Sequence, residues 1–308
     1  MDLKEKLQQE LKKNEDTVLD DKILLEFSND LIDFLRNQCD IPLKLYRYMP
    51  FNYNNVRSLE TGKIYLTELG KMNDVFEGLV LSNAEKELDL RNLYDLAYLK
   101  AFSEENKNLL MWSHYGDNHK GICIEYDIKR LIHRKAEEYG DEHPVLYHLF
   151  PVIYTDKRIK NDLAMSNIKY AAKSIDEYKY DLKKGNANVD SDWHHDIKSL
   201  FLYKSKVWEY EKEWRIVVTF HQLKGESDES VDPKTELYRL NEQNISFDCV
   251  SAVYCGASLA EDKVMHLEEI VSNINSKRKS KGEDQVTLYK CALDSEYNKY
   301  EILLDKLK

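Results

Sequence analysis

No apolar run in this 308-residue sequence approaches the roughly 18 consecutive residues that a membrane-spanning helix needs. The first residues, Met1-Asp2-Leu3-Lys4-Glu5, are charged where a signal peptide would be apolar, so a secretory route is not expected. Cysteine is sparse: Cys39, Cys123, Cys249, Cys255 and Cys291 are odd in number, widely spread and never arranged as Cys-x-x-Cys. That pattern argues against a disulfide framework and a zinc knuckle, and fits a reducing cytoplasm. Positive charge is also short. A net charge of −11 disfavours bulk attraction to nucleic acid or an acidic membrane, and the one basic run, Lys277-Arg278-Lys279-Ser280-Lys281, reads as an exposed helix end and turn. Ten glycines and five prolines stand against 21 tyrosines, which points to a helix-rich α+β protein with aromatic packing. Internal repeats and low-complexity segments are lacking too.

What is present suffices for a globular core: 42% of residues are hydrophobic and 33% charged. The densest stretch is Leu109-Leu110-Met111-Trp112-Ser113-His114-Tyr115-Gly116-Asp117-Asn118-His119-Lys120-Gly121-Ile122-Cys123-Ile124-Glu125-Tyr126. The alternation of Ile122, Ile124 and Tyr126 against Cys123, Glu125 and Asp127 predicts a strand from about Gly121. The residues before it predict a structured loop carrying polar groups. The bland alternative is an aromatic wedge at the base of a core, its polar tips satisfied.

Along the chain, Asp20-Asp21 followed by Leu24, Leu25, Phe27, Leu31, Ile32, Phe34 and Leu35 predicts an N-terminal helical appendage over 1–42, closed by Pro42. Residues 43–308 then form one α+β domain. Strands are expected at Leu43–Tyr48, Lys63–Thr67, Ala101–Ser103, Pro151–Tyr154, from Glu213, and at Val250–Cys255 and Val286–Cys291. Helices are expected over about Asn54–Thr61, 84–101, Ile128–Tyr139 and Ala260–Ser276. The polar, lysine- and tyrosine-rich stretch of about 157–206, which holds His194-His195, reads as a helical insert. The strands are too irregularly spaced for a βαβ series, so the expected core is a mixed, mainly antiparallel sheet built from 43–156 and 207–295.

Four segments together resemble the bacterial domain of unknown function 2971 family: Leu45-Tyr46-Arg47-Tyr48; Met72-Asn73-Asp74-Val75-Phe76-Glu77-Gly78; Met111-Trp112-Ser113-His114-Tyr115 running to His119-Lys120-Gly121-Ile122-Cys123; and Trp208-Glu209-Tyr210-Glu211-Lys212-Glu213-Trp214-Arg215. The resemblance spans roughly 43–256. Val75 departs from it, standing where the family usually has proline, which implies a looser turn. Some members are associated with phage defence or mobile elements, which implies an antiviral setting.

A more distant resemblance is to ADP-ribosyltransferases of the arginine-serine-glutamate class: an Arg on an early strand, a Ser or Thr on a later one, then Glu-x-Glu before another strand. It implies an enzyme that cleaves NAD, as substrate, and transfers ADP-ribose to a protein, nucleic-acid or small-molecule acceptor. On this reading Arg47 binds the diphosphate through its forked donors. Glu213 stabilises the oxocarbenium-like charge at the nicotinamide ribose, and Glu211 orients or activates the acceptor. Thr67 or Ser103 supplies the strand-end hydroxyl, and Tyr65, Trp112 or Tyr115 stacks on nicotinamide. Ser113 is a further candidate contact and His114 a candidate catalytic imidazole.

Other readings of the same residues stay open. Glu211 and Glu213, alternating with Lys212 and Arg215, also suit an exposed face of weak ion pairs, and Arg47 could pair with either glutamate across the sheet. His114, His119 and Glu213 or Asp117 suggest a metal-dependent hydrolase or nuclease. Cys123 beside His119 or His114 suggests a nucleophilic thiol, against a simple core role. A sensor module recognising a nucleotide or a phage protein needs no catalysis and should tolerate Glu213→Gln, which a transferase should not.

Overall fold

Ile122, Ile124 and Tyr126, β-branched and aromatic, alternate along Ile122–Asp127 and favour a strand there. This strand, β4, sits inside a nine-stranded sheet. The computed structural model describes residues 42–61, 67–68, 72, 74, 76, 97–128, 149–155, 201–219, 249–293 and 301–307. On one side β4 pairs antiparallel with β1 (Lys44–Met49), and on the other with β9 (Val250–Cys255). Beyond β9 lie β10 (Thr287–Leu293), parallel to it, and β11 (Ile302–Lys306), antiparallel to β10. Beyond β1 lie β3 (Ala97–Ser103), β8 (Glu213–Thr219) and β5 (Leu149–Pro151), all antiparallel. The two-residue β2 (Thr67–Glu68) also pairs with β3. A separate parallel pair joins β6 (Ile153–Thr155) to β7 (Tyr203–Ser205). The expected α+β class with a mixed, mainly antiparallel sheet is what the molecule shows.

Helix α1 (Tyr53–Thr61) follows β1, the short α2 (Leu109–His114) precedes β4, and the 20-residue α3 (Glu261–Ser280) begins with Glu261 and Asp262 and ends with Lys277, Arg278 and Lys279, charges that complement its dipole. Val264, Leu267, Val271 and Ile274 pack in one cluster with Leu45, Met49, Ile122, Ile124 and Val253. The opposite sheet face buries a second cluster around Tyr48, Trp112, Cys123, Ala252, Tyr254 and Cys291. Cys123 therefore lies in the core, where burial pushes its thiol well above the ordinary value. Arg278, within the basic run, is buried and donates Nη1 to the Asp284 carbonyl, whereas Lys277, Lys279 and Lys281 are exposed as expected.

Three expectations need correction. Residues 97–101 are strand rather than the end of a helix. Residues 203–206, expected in the helical insert, form β7 and the start of a 3-10 helix (Lys206–Glu211). The sheet also extends beyond 295, to β11. The N-terminal appendage, most of the insert and His194-His195, and the Ile128–Tyr139 helix beyond Ile128 lie outside the described residues.

The feature that positions the site is a split between β1 and β3. β1 pairs with β4 along its whole length, but its registered partner on β3 is the single pair Tyr46↔Ser103. Further back along the same edge of β3, β2 pairs instead, Thr67 opposite Leu99. The sheet opens between these two contacts.

Candidate functional site: a carboxylate cluster at the sheet split

A cavity of about 190 Å³ fills the split. Tyr46, Arg47 and Tyr48 line it from β1, Thr67 from β2, and Leu99, Ala101, Phe102 and Ser103 from β3; Met111, Tyr115, Lys204, Glu211 and Glu213 complete the wall with Met72. This is smaller than the roughly 300–1,000 Å³ of a site that encloses a whole drug-sized ligand, so it can take in only part of one.

Ser103 lies opposite Tyr46 on one side and Glu213 on the other, which puts all three on one sheet face. Alternation sends Arg47 to the other face. It lines the cavity where the strands part, and its Nη1 donates at 3.0 Å to the Ala101 carbonyl of β3. Among the described residues Arg47 forms no ion pair, so the expected alternative of an Arg47–glutamate pair does not hold; both glutamates are engaged elsewhere.

Neither glutamate sits on an exposed face: Glu211 is 2% exposed and Glu213 4%. In a continuous strand their spacing alone would align them. Here the 3-10 helix ends at Glu211, and Lys212 takes a left-handed conformation (φ 43°) before β8 starts at Glu213. Both carboxylates then converge on the buried ammonium of Lys204, with Nζ 2.5 Å from Glu211 Oε2 and 2.9 Å from Glu213 Oε2. Arg215 completes the cluster. Its Nε donates to Glu213 Oε1 at 2.7 Å, its Nη2 to Glu213 Oε2 at 2.9 Å and its Nη1 to the Phe201 carbonyl at 2.7 Å. Such a forked pair is the strong form of carboxylate–guanidinium contact. Outside the cluster, Lys212 itself is half-exposed and pairs with Glu105.

The two carboxyls therefore differ. Burial pushes Glu213 up, but the Arg215 and Lys204 charges and hydrogen bonds outweigh it and hold the group at about 2. Burial also pushes Glu211 up; Lys204 and a 2.6 Å hydrogen bond from the Tyr115 hydroxyl oppose that, Glu213 adds to it, and the net shift is upward. Glu213 is thus a fixed anion, and Glu211 is the carboxyl nearer to exchanging a proton. Ser103 Oγ donates to the Glu211 carbonyl at 2.7 Å and accepts from the Glu105 N–H, so it holds the Glu-x-Glu turn in place.

The central segment mainly builds a support. The short α2 (Leu109–His114) is capped by Asn108, whose side chain accepts from the Leu110 and Met111 N–H groups and donates to the Tyr210 carbonyl. Trp112 is fully buried, donates Nε1 to the Asn106 carbonyl and meets Tyr48 edge-on. Asp117, Asn118 and His119 all have positive φ, an uncommon run for residues with side chains. The turn closes against backbone: a Cβ on Gly121 would lie 2.3 Å from the Met49 carbonyl oxygen, and one on Gly256 2.2 Å from that of His119.

The structure thus gathers Arg47, Thr67, Ser103, Tyr115, Glu211 and Glu213 around one cavity. Trp112, Ser113 and His114 do not line it. Ser113 Oγ donates to the Leu109 carbonyl and lies 3.3 Å from His119 Nε2, while His114 Nδ1 lies 2.9 Å from the Tyr210 hydroxyl on the exterior. Tyr65 is outside the described residues. His114 and His119 have separate partners, and no group of three or more His, Cys, Asp or Glu able to hold a metal occurs among the described residues. Sequence reading missed Lys204, whose role rests on the Tyr154↔Lys204 register of β6 and β7, and the clamping role of Arg215. The second had a signal, since Glu213 and Arg215 are two apart on a strand and share a face.

Fold and site define an α+β protein whose split sheet holds a neutralised carboxylate cluster beside a cavity. Residues 111–216, which carry the last four residues of α2, the whole of β4 and the Glu-x-Glu segment, match the model of the family described as Protein of unknown function (DUF2971). That match covers about a third of the chain and supports the resemblance its motifs indicated. No curated protein and no solved structure gives a significant match to the chain.

Proposed function

We propose that the protein is an ADP-ribosyltransferase-like enzyme that takes the nicotinamide-ribose half of NAD into the cavity at the sheet split. The observation that carries this reading is the lining itself: Arg47, Ser103, Glu211 and Glu213, from adjacent strands and the turn before the last, meet at one opening. Arg47, without an anionic partner among the described residues, suits a diphosphate oxygen. Glu213, ionised and rigidly clamped, supplies negative potential toward the oxocarbenium-like carbon that forms as nicotinamide leaves. Glu211 takes the acceptor's proton, and the Tyr46, Tyr48 and Tyr115 rings give the cavity aromatic walls. A place in antiviral defence belongs to the same proposal.

The test is nicotinamide release from NAD by the purified wild type and by Glu211→Gln. The reading expects release by the wild type, falling roughly 100-fold or more in the variant, the usual scale for losing a general base. Release that Glu211→Gln leaves intact would refute the site.

A further inference from the structure

Resting on this reading of the cavity, the geometry points to the acceptor: we infer that the site transfers to a neutral oxygen nucleophile, water or a hydroxyl group, and not to a basic side chain. A guanidinium or ammonium acceptor would dock on the paired carboxylates, and that place is taken. Lys204 Nζ bridges Glu211 and Glu213 at 2.5 and 2.9 Å, and Arg215 forks onto both Glu213 oxygens. Glu211 Oε1 accepts from Tyr115. The cluster thus balances two carboxylates with two cations, all buried.

Lys204 is not a loose side chain that an incoming cation could push aside. β7 fixes its backbone against Tyr154 of β6, its ammonium lies 5.2 Å from the centre of the Trp208 ring, and its side chain is 4% exposed. Displacing it would strand an ammonium in the interior, which is costly. The remaining cavity wall offers Arg47, which repels a further cation, and the Tyr46, Tyr48 and Tyr115 rings.

The step balances with a neutral acceptor. The ribose C1′–N1 bond breaks with its electron pair staying on the ring nitrogen, which releases neutral nicotinamide. An oxygen lone pair forms the new bond to C1′, and the hydroxyl or water proton passes to the Glu211 carboxylate.

The first test needs no NAD, so it reads independently of whether NAD is the substrate. Agmatine, a small guanidinium probe, is titrated into the wild type and Lys204→Gln by calorimetry. The inference expects no binding by the wild type at millimolar agmatine and a gain of about tenfold or more in affinity in the folded variant, the scale of one recovered charged contact. Agmatine binding by the wild type overturns it, and that arm decides alone should Lys204→Gln fail to fold; a folded Lys204→Gln without the gain overturns it as well. With NAD present, free ADP-ribose in buffer alone would identify water as acceptor, and an adduct with added glycerol would identify a hydroxyl. Formation of ADP-ribosyl-agmatine by the wild type would overturn the inference.

Discussion

Replacing Glu213 with Gln removes one charge from the centre of the buried cluster and leaves two cations without it. Gln can still accept from Arg215 Nε through its carbonyl oxygen, but its amide then presents N–H groups to Lys204 Nζ and Arg215 Nη2, donors facing donors. The magnitude follows from two directions. A carboxyl held at about 2 against an ordinary 4.5 contributes about 3 kcal/mol at neutral pH, and breaking a buried ion pair from one side costs about 3–5 kcal/mol. A loss of about 3 kcal/mol is large against a typical total of about 5–15 kcal/mol. Urea unfolding followed by tryptophan fluorescence should show a lowered midpoint with an unchanged slope. Glu211→Gln is expected to cost clearly less, because it relieves the repulsion from Glu213 that helps raise the Glu211 carboxyl. Equal losses, or a Glu213→Gln loss below about 1 kcal/mol, would refute the clamp. Glu213→Gln is therefore a poor discriminator between an enzyme and a sensor, since it would weaken either; Glu211→Gln separates them more cleanly.

The pH dependence of stability carries two opposite signs. Glu213, its value depressed, stabilises fully above 4.5 and loses that contribution as pH falls toward about 2; Glu211, its value raised, stabilises when protonated and loses that contribution as pH rises through its raised value. Thermal midpoints should hold or rise slightly on mild acidification from neutrality, then fall below about pH 4.5; a steady loss starting at neutrality would contradict the assignment. Gly121→Ala should cost several kcal/mol, roughly 3 or more, because the new Cβ meets the Met49 carbonyl oxygen at 2.3 Å, backbone against backbone; a loss within about 0.5 kcal/mol would show that the turn can open. Cys123, Cys249, Cys255 and Cys291 are all buried, so a thiol reagent should label them only on unfolding, and rapid labelling of Cys123 in the native protein would revive the nucleophile reading.

Much of the fold was legible because its strands carry their own pattern. Val250–Cys255 emerges with the expected limits, and β4 starts one residue after Gly121, where alternation placed it. Helix α3 runs four residues past the expected Ser276, since the basic run that reads as a helix end is compatible with either stop. Ala97–Ser103 was harder: Leu99 and Lys100 are both buried in a strand covered on two faces, so no polar–apolar alternation marks it. At the site, the order of Arg47, Ser103 and the Glu-x-Glu pair was readable, but their electrostatics were not. Exposed or buried glutamates look alike in sequence, and the decisive partner, Lys204, reaches them only through the β6–β7 pairing. Likewise the aromatic and histidine content of residues 109–121 drew attention to ligand binding, whereas Trp112 and His119 stack with each other and help build a turn.

The central claim is that the split between β1 and β3 is a nucleotide site with Arg47 as its anion contact. The most direct test is calorimetric titration of NAD into the wild type and Arg47→Ala, each shown to be folded. The account predicts saturable binding by the wild type, weakened roughly tenfold or more in Arg47→Ala by loss of a charged hydrogen bond. Absence of binding by the folded wild type, or the same affinity in both proteins, would contradict it.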